Sequence, residues 1–313
     1  MTTAAPSPLP ASHHDLASIL LRARYVADPS AALSLWLALQ MRRPLLVEGP
    51  AGVGKTDLAR AAAEALERPL IRLQCYEGLD EGKALYEWDY AKQMLYTQLL
   101  RDAIAHDLSG ATTISQAADI VAKSEASFFS ERFLIARPLL AALRSPTPAV
   151  LLIDEVDRAD PEFEAFLLEL LSEFQITIPE LGTVRATHPP VVLLTTNATR
   201  EMTEALRRRC LHTFLDYPPP SRELEILKLV LPGIEDRLAQ KVVSFVASLR
   251  KLDLRKAPAI SETIDYAKAL LLLGKSSLDA ELIRDTLGLL LKHQVDKDLV
   301  EERLTAIVQK LPS

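Results

Sequence analysis

Eight consecutive residues, Gly49-Pro50-Ala51-Gly52-Val53-Gly54-Lys55-Thr56, bring together three glycines, a lysine and a hydroxyl in the spacing G-x-x-x-x-G-K-[ST]. They follow the short apolar run LLVEG directly and precede a stretch of helical spacing from about Lys55 to Glu67. That context supplies a mechanism. Glycines let the main chain wrap with its N–H groups turned inward, and the helix start, from Lys55 through Asp57, adds positive partial charge. Lys55 reaches β- and γ-phosphates while Thr56 offers an oxygen to Mg²⁺, so the ligand expected on Gly49 to Asp57 is ATP with Mg²⁺.

A phosphate loop serves phosphoryl transfer to a small molecule equally well, and a second signal favours hydrolysis. Val150-Leu151-Leu152-Ile153-Asp154-Glu155 is a buried-strand pattern ending in two carboxylates, 99 positions after Lys55. Asp154 is placed to hold Mg²⁺, and Glu155 to orient and deprotonate an attacking water. Asp157, two positions on, reads as an ordinary solvated acid. Asn197 ends the apolar run VVLLTTN and stands ready to hold the water against the γ-phosphate, a turn-forming asparagine being the plainer alternative. Arg207, Arg208 and Arg209 close a short helical stretch 12 residues beyond Asn197 at most. They point in different directions around a helix, so one or two of them at most meet a single phosphate. A finger reaching a neighbouring subunit's ATP competes with a basic helix end that complements its own dipole.

These residues need a frame that brings strand ends together. LLVEG, LIRLQ (70–74), AVLLID (149–154) and VVLLTTN (191–197) alternate with helical stretches, one of them opened by Asp160 as N-cap with Pro161 at its first position. Strand, helix, strand implies parallel crossovers, and four such cores predict a doubly wound α/β domain over residues 15–217. QITIPELGTVRAT alternates polar and apolar residues around Pro179 to Gly182, which predicts a β-hairpin inserted before the last of those strands. Two helices are expected across 15–40. The prolines of YPPPSRE (217–223) mark a boundary, and residues 221–313 show only amphipathic helical spacing, a small all-helical domain.

With 313 residues, 49% of them hydrophobic, the chain has enough apolar mass for such a core without staples. Cys75 and Cys210 show no paired spacing, so neither a disulfide framework nor a zinc site is readable, and Cys75 reads as a small buried hydrophobe. A net charge of −6 with scattered basic residues lacks the footprint of a nucleic-acid binder. No apolar run is long enough for an integral membrane segment, and a cytoplasmic setting is expected. Residues 1–14, His13 and His14 included, read as a disordered Pro/Ala/Ser-rich tail. Tyr86, Trp88 and Tyr90 suit core packing better than a grip on another chain.

The set GPAGVGKT, LLIDEVD, LLTTN and RRRC, followed by a helical lid, resembles the AAA+ ATPases over roughly residues 20 to 305, and the hairpin resembles the helix-2 insert of the MoxR branch. The resemblance implies an α/β P-loop AAA+ core with parallel sheet and inserted β-hairpin, then the lid. It makes Lys55 and Thr56 the Walker A residues, Asp154 and Glu155 Walker B, Asn197 sensor 1, and Arg209 the arginine finger, with Arg208 as its neighbour. It further implies a homo-oligomer in a hexameric ring. DEVDRADPEFEAFLLELLSEFQITIPELG and CYEGLDEGKALYEWDY most resemble the CoxD type, implicated in maturation of molybdenum-containing carbon monoxide dehydrogenase. The implied activity is an ATP-hydrolysing chaperone that remodels a client metalloenzyme, alongside a protein with a von Willebrand factor A domain. A nucleic-acid motor and a slow ATP-switch scaffold are the alternatives. One departure stands out: Glu262 lies where the family's sensor 2 arginine belongs, which leaves Arg255 or Lys256 to compensate, or the lid less directly coupled to ATP.

Overall fold

The computed structural model describes residues 9–109, 113, 116, 130–179, 181–275 and 277–312. Two helices, α1 (His13–Arg22) and α2 (Pro29–Met41), lead into β1 (Leu45–Glu48). Then come α3 (Lys55–Ala65), β2 (Leu70–Gln74), the single turn α4 (Glu81–Ala84), β3 (Tyr86–Trp88) and α5 (Tyr90–Ser109). After 130 the order is β4 (Leu134–Ala136), α6 (Pro138–Leu143), β5 (Val150–Asp154), α7 (Pro161–Glu173), β6 (Gln175–Ile178), β7 (Gly182–Arg185) and β8 (Val191–Thr196). The short α8 (Glu204–Arg209) and β9 (Leu211–Phe214) complete this part.

Five strands form one parallel sheet in the order β2-β5-β8-β1-β9. Helices cover both of its faces, which is why β5 and β8 are almost wholly apolar rather than alternating. Successive residues still divide between two cores, as the pleat requires. Leu46, Leu151, Ile153 and Leu194 pack with Leu139, Leu140, Phe163 and Leu167 on one face. Leu45, Val47, Val150, Leu152 and Leu193 pack with Leu16, Leu20, Leu35 and Leu58 on the other.

The four strands expected from the sequence are joined by a fifth, β9, which pairs Leu45 with Leu211 through Glu48 with Phe214. With His212 and Thr213 in a stretch of four, it carries no apolar run to announce it. The hairpin forms as β6–β7, antiparallel from Gln175↔Arg185 to Ile178↔Gly182. An additional pair, β3–β4, sets Trp88 beside Leu134 and buries the Trp88 indole, with Tyr86 edge-on to it at 5.8 Å. Tyr90 stays 65% exposed. Asp160 does take the N-cap position of α7, with Pro161 next, but its side chain makes no capping bond. His13 and His14 form the first turn of α1, capped by Ser12 Oγ accepting from Asp15 N at 3.1 Å, rather than belonging to a tail. Residues 1–8 of that tail lie outside the described residues.

Beyond Tyr217 the chain is helical: α9 (Pro220–Val230), α10 (Asp236–Leu249), α11 (Ile260–Leu272), α12 (Ala280–Leu290) and α13 (Gln294–Val308). Pro220 sits at the first position of α9, where its missing N–H costs nothing. Phe245, Tyr266, Leu270, Ile283, Leu287 and Val300 make a third core. Inside it, Arg250 donates to both Glu223 carboxylate oxygens (2.6 and 2.8 Å), and Thr263 Oγ1 donates to Glu223 Oε1 at 2.7 Å. Among the described residues no helix is long and apolar enough to cross a membrane.

Candidate nucleotide site

β1 ends at Glu48 beside β9, and the chain must leave through a gap too narrow for a side chain. A Cβ on Gly49 would stand 2.0 Å from the Leu215 carbonyl oxygen. Gly52 (φ 77) and Gly54 (φ 98) take left-handed conformations that turn the loop back to start α3. A Cβ on Gly52 would also meet the Ala259 Cβ at 2.6 Å and Ser261 Oγ at 2.8 Å, so the start of α11 lies directly against the loop.

Lys55, 6% exposed, uses all three of its ammonium hydrogens. They go to the Gly49 carbonyl (2.7 Å), the Pro50 carbonyl (2.7 Å) and Asn197 Oδ1 (2.8 Å). Burial lowers the ammonium below the ordinary lysine range, against the opposing pull of Asp157, Asp154 and Glu155. Thr56 Oγ1 lies 3.0 and 3.2 Å from the two oxygens of Asp154. A hydroxyl and a carboxylate are the hard oxygen donors Mg²⁺ takes, so these residues fit such an ion. Asp154 also accepts from Thr195 Oγ1 at 2.5 Å, and that same hydroxyl accepts from the Glu155 amide at 2.9 Å. Glu155 holds a left-handed conformation (φ 55) at the mouth of β5, with its side chain one-third exposed.

The structure therefore brings Lys55, Thr56, Asp154, Glu155 and Asn197 together at the carboxyl ends of β1, β5 and β8, where open α/β sheets place their ligands. Arg208 and Arg209 do not join this cluster within the chain. Arg208 pairs with Glu204, and Arg209 Nε donates to Ser172 Oγ at 2.6 Å. Glu262 is turned to its own helix start, accepting from the Ala259 amide at 2.9 Å and facing Lys256 at 3.5 Å.

Several participants carry no sign in the motifs. Arg72, two residues before the end of β2, donates to Asp154 Oδ2 from Nε (3.0 Å) and a terminal nitrogen (2.5 Å) and to Gln74 Oε1 (2.5 Å). Gln74 Nε2 in turn donates to Glu155 Oε2 at 3.0 Å. Two polar residues at i and i+2 near a strand end share a face, and that was the available signal. Asp157 is buried, not solvated. Its Oδ2 accepts from the Asn197 amide (3.2 Å), the Thr199 amide (3.0 Å) and Thr199 Oγ1 (2.6 Å). Burial alone would raise this carboxyl; the Thr199 and Asn197 hydrogen bonds outweigh it and hold it below the usual range.

Beside the loop opens a cleft of about 340 Å³. Arg24, Tyr25 and Val26 form one wall, Gly52 to Gly54 with Asp57 the floor, and Ile226, Ile260, Ser261 and Ile264 the far wall. The helical part contributes Lys268 to this cleft, and neither Arg255 nor Lys256 lines it.

A family model described as AAA domain (dynein-related subfamily) matches residues 44–210, more than half of the chain and the whole of the sheet up to β9. The chain belongs to the AAA+ family. This AAA+ protein is similar to an uncharacterised protein of Staphylococcus saprophyticus, 26% identical over 239 residues that cover 74% of this chain and 77% of the relative. An uncharacterised protein of Staphylococcus haemolyticus is 25% identical over 259 residues, covering 80% and 85%. Among solved structures, the Thermotoga maritima RuvB Holliday junction branch migration motor aligns with 17% identity and a TM-score of 0.46, covering 96% of this chain and 79% of its own. A mutant form of the same RuvB gives 18% identity and 0.48 over 89% and 73%.

Proposed function

We propose that this AAA+ protein binds ATP with Mg²⁺ and hydrolyses it, coupling turnover to a change in how the helical part sits on the sheet. The observation that carries this reading is the meeting of Lys55, Thr56, Asp154, Glu155 and Asn197 at one edge of the sheet. Main-chain amides of Gly49 to Gly54 and the start of α3 receive the phosphates, and Lys55 exchanges carbonyl partners for phosphate oxygens. Thr56 and Asp154 would hold the metal, which when bound supplies positive charge against the phosphate oxygens. Glu155, aimed by Gln74 and by its own left-handed backbone, takes the proton of the attacking water, and Asn197 holds that water in line. Adenine and ribose fit the adjoining cleft, between Tyr25 and Ile260.

Arg209, with Arg208 beside it, serves a neighbouring subunit in a ring, since neither reaches the site of its own chain. Such a finger is worth about 10³- to 10⁵-fold in rate. Residues 15–217 and 221–313 act as the two moving bodies. The inserted hairpin β6–β7 and the stretches resembling CoxD support a MoxR-type chaperone that matures a client metalloenzyme, a molybdenum hydroxylase such as carbon monoxide dehydrogenase. A von Willebrand factor A protein is the expected partner and the cytoplasm the expected compartment.

Equilibrium binding and turnover of ATP test the core of this reading. Lys55→Ala should weaken ATP binding. Glu155→Gln should keep binding and lose at least about a hundredfold in turnover. Undiminished hydrolysis by the Gln variant removes Glu155 from its role, and no Mg²⁺-dependent affinity for ATP in the parent protein removes the whole proposal.

A further inference from the structure

A second cavity, of about 380 Å³, lies at the other edge of the parallel sheet, among the residues that precede the strands. Arg43 stands before β1, Arg68 before β2, Pro148 before β5, and Val191 begins β8. A five-residue strand spans roughly 17 Å, so this cavity is separated from the phosphate loop by the height of the sheet.

Its charges are of one sign. Arg42, Arg43 and Arg68 carry them, His188 lines the cavity as well, and among the described residues no aspartate or glutamate does. Arg43 is accounted for: its guanidinium donates to the carbonyl oxygens of Arg208 (2.7 Å) and Arg209 (3.3 Å). Arg68 is not. Arg68 is half-buried, its Nε has no hydrogen-bond partner among the described residues, and burial lowers the guanidinium below its ordinary range with no acid among those residues to offset it. A guanidinium held out of water without a counter-charge is costly, and a folded chain tolerates it where a ligand supplies the acceptor. Residues 1–8, which lead to Leu9 at the cavity, contain no Asp or Glu and offer no carboxylate.

The backbone points the same way. Arg42 (φ 51) and Phe174 (φ 49) both end helices in the left-handed conformation that glycine takes at least cost. The chain keeps a guanidinium and a phenyl group at those two places, and both face this cavity. Phe174, Pro189 and Val191 supply apolar wall, so the cavity combines a few convergent polar groups with a greasy lining at the size of a small-molecule site.

We propose that this cavity is a second ligand site, taking a small oxyanion on a compact apolar body, with the anionic group on Arg68 and Arg42 and the body against Phe174 and Pro189. Arg43 links it to the end of α8, so an occupant here touches the residue that holds the Arg208–Arg209 main chain.

Isothermal titration of the full-length protein with phenyl phosphate and with benzoate tests this. One-to-one binding is expected, weakened about tenfold or more by Arg68→Gln and by the exposed Arg42→Gln, and retained in Lys55→Ala. Tighter binding of phenyl phosphate assigns the site to phosphate esters; equal or tighter binding of benzoate assigns it to carboxylates. Absence of binding by either compound at millimolar concentration overturns the proposal. So does binding that both arginine variants leave unchanged, or binding lost in Lys55→Ala, which would put the anion on the phosphate loop.

Discussion

Replacing Asp157 by alanine probes how the candidate site is held together. Asp157 is 4% exposed, and its Oδ2 alone accepts three hydrogen bonds, two from main-chain amides and one from the Thr199 hydroxyl. In Asp157→Ala the Asn197 and Thr199 amides lose their acceptor inside the protein. At about 1–2 kcal/mol net for each of the three bonds, the loss comes to about 3–6 kcal/mol. For a domain of this size that is a fall of roughly 6–24 °C in melting temperature. Asp157→Asn keeps an oxygen acceptor and should cost less than half as much. The hydrogen bonds also set a pH dependence. Because the folded carboxyl sits below its ordinary range, its stabilisation is fully present above pH about 4 and drains away as pH falls through the folded value. The alanine variant should therefore show a flatter loss of stability in acid than the parent. Since Asp157 fixes Asn197 by its amide, ATP turnover should fall while ATP binding survives. Thermal melting from pH 3 to 7 with parallel turnover and binding measurements decides the matter. A melting point within about 2 °C of the parent would show that these bonds are not what positions Asn197.

Arg72→Ala removes the bonds to Asp154 and Gln74, so turnover should drop about tenfold or more and the Mg²⁺ dependence should shift, read from metal titrations of both activity and ATP binding. Gly52→Ala would press a methyl group onto Ala259 and Ser261 at a backbone conformation alanine resists, and ATP affinity should fall in a binding assay while the overall fold survives by circular dichroism. Arg250→Ala strands the buried Glu223 carboxylate and should cost about 3–5 kcal/mol, seen as earlier melting of the helical part in hydrogen exchange. Burial pushes the Cys75 and Cys210 thiols up to about 12, so neither should react with a thiol reagent at pH 8 until the protein unfolds.

What the sequence disclosed was whatever is local in the chain. The phosphate loop is contiguous, and Asp154 with Glu155 announce themselves by ending an apolar run. Arg72, Gln74 and Thr195 become meaningful only once β2, β5 and β8 are side by side, with Gln74 opposite Asp154, and strand order is not written in any one segment. Asp157 follows a pair of acids and looked exposed, but the tight turn Val156–Arg158 carries it inward beneath Asn197. The walls of the 340 Å³ cleft come from residues 24–26 and 226–268, stretches that no spacing rule connects. β9 is not legible in the sequence because two of its four residues are polar and its partner, β1, is far away in sequence. His13 and His14 looked like tail because composition speaks louder than the Ser12 cap that starts their helix.

The contact between Gly52 and the first turn of α11 has a mechanical side. On the proposed function, a nucleotide in that seam would be gripped by two separately built cores, and its size would set the angle between them. α13, 15 residues and about 22 Å long, acts as a pointer: a 10° tilt carries its far end through about 4 Å. Under that reading, gain or loss of a few atoms at the seam would be translated into a displacement large enough for another molecule to feel.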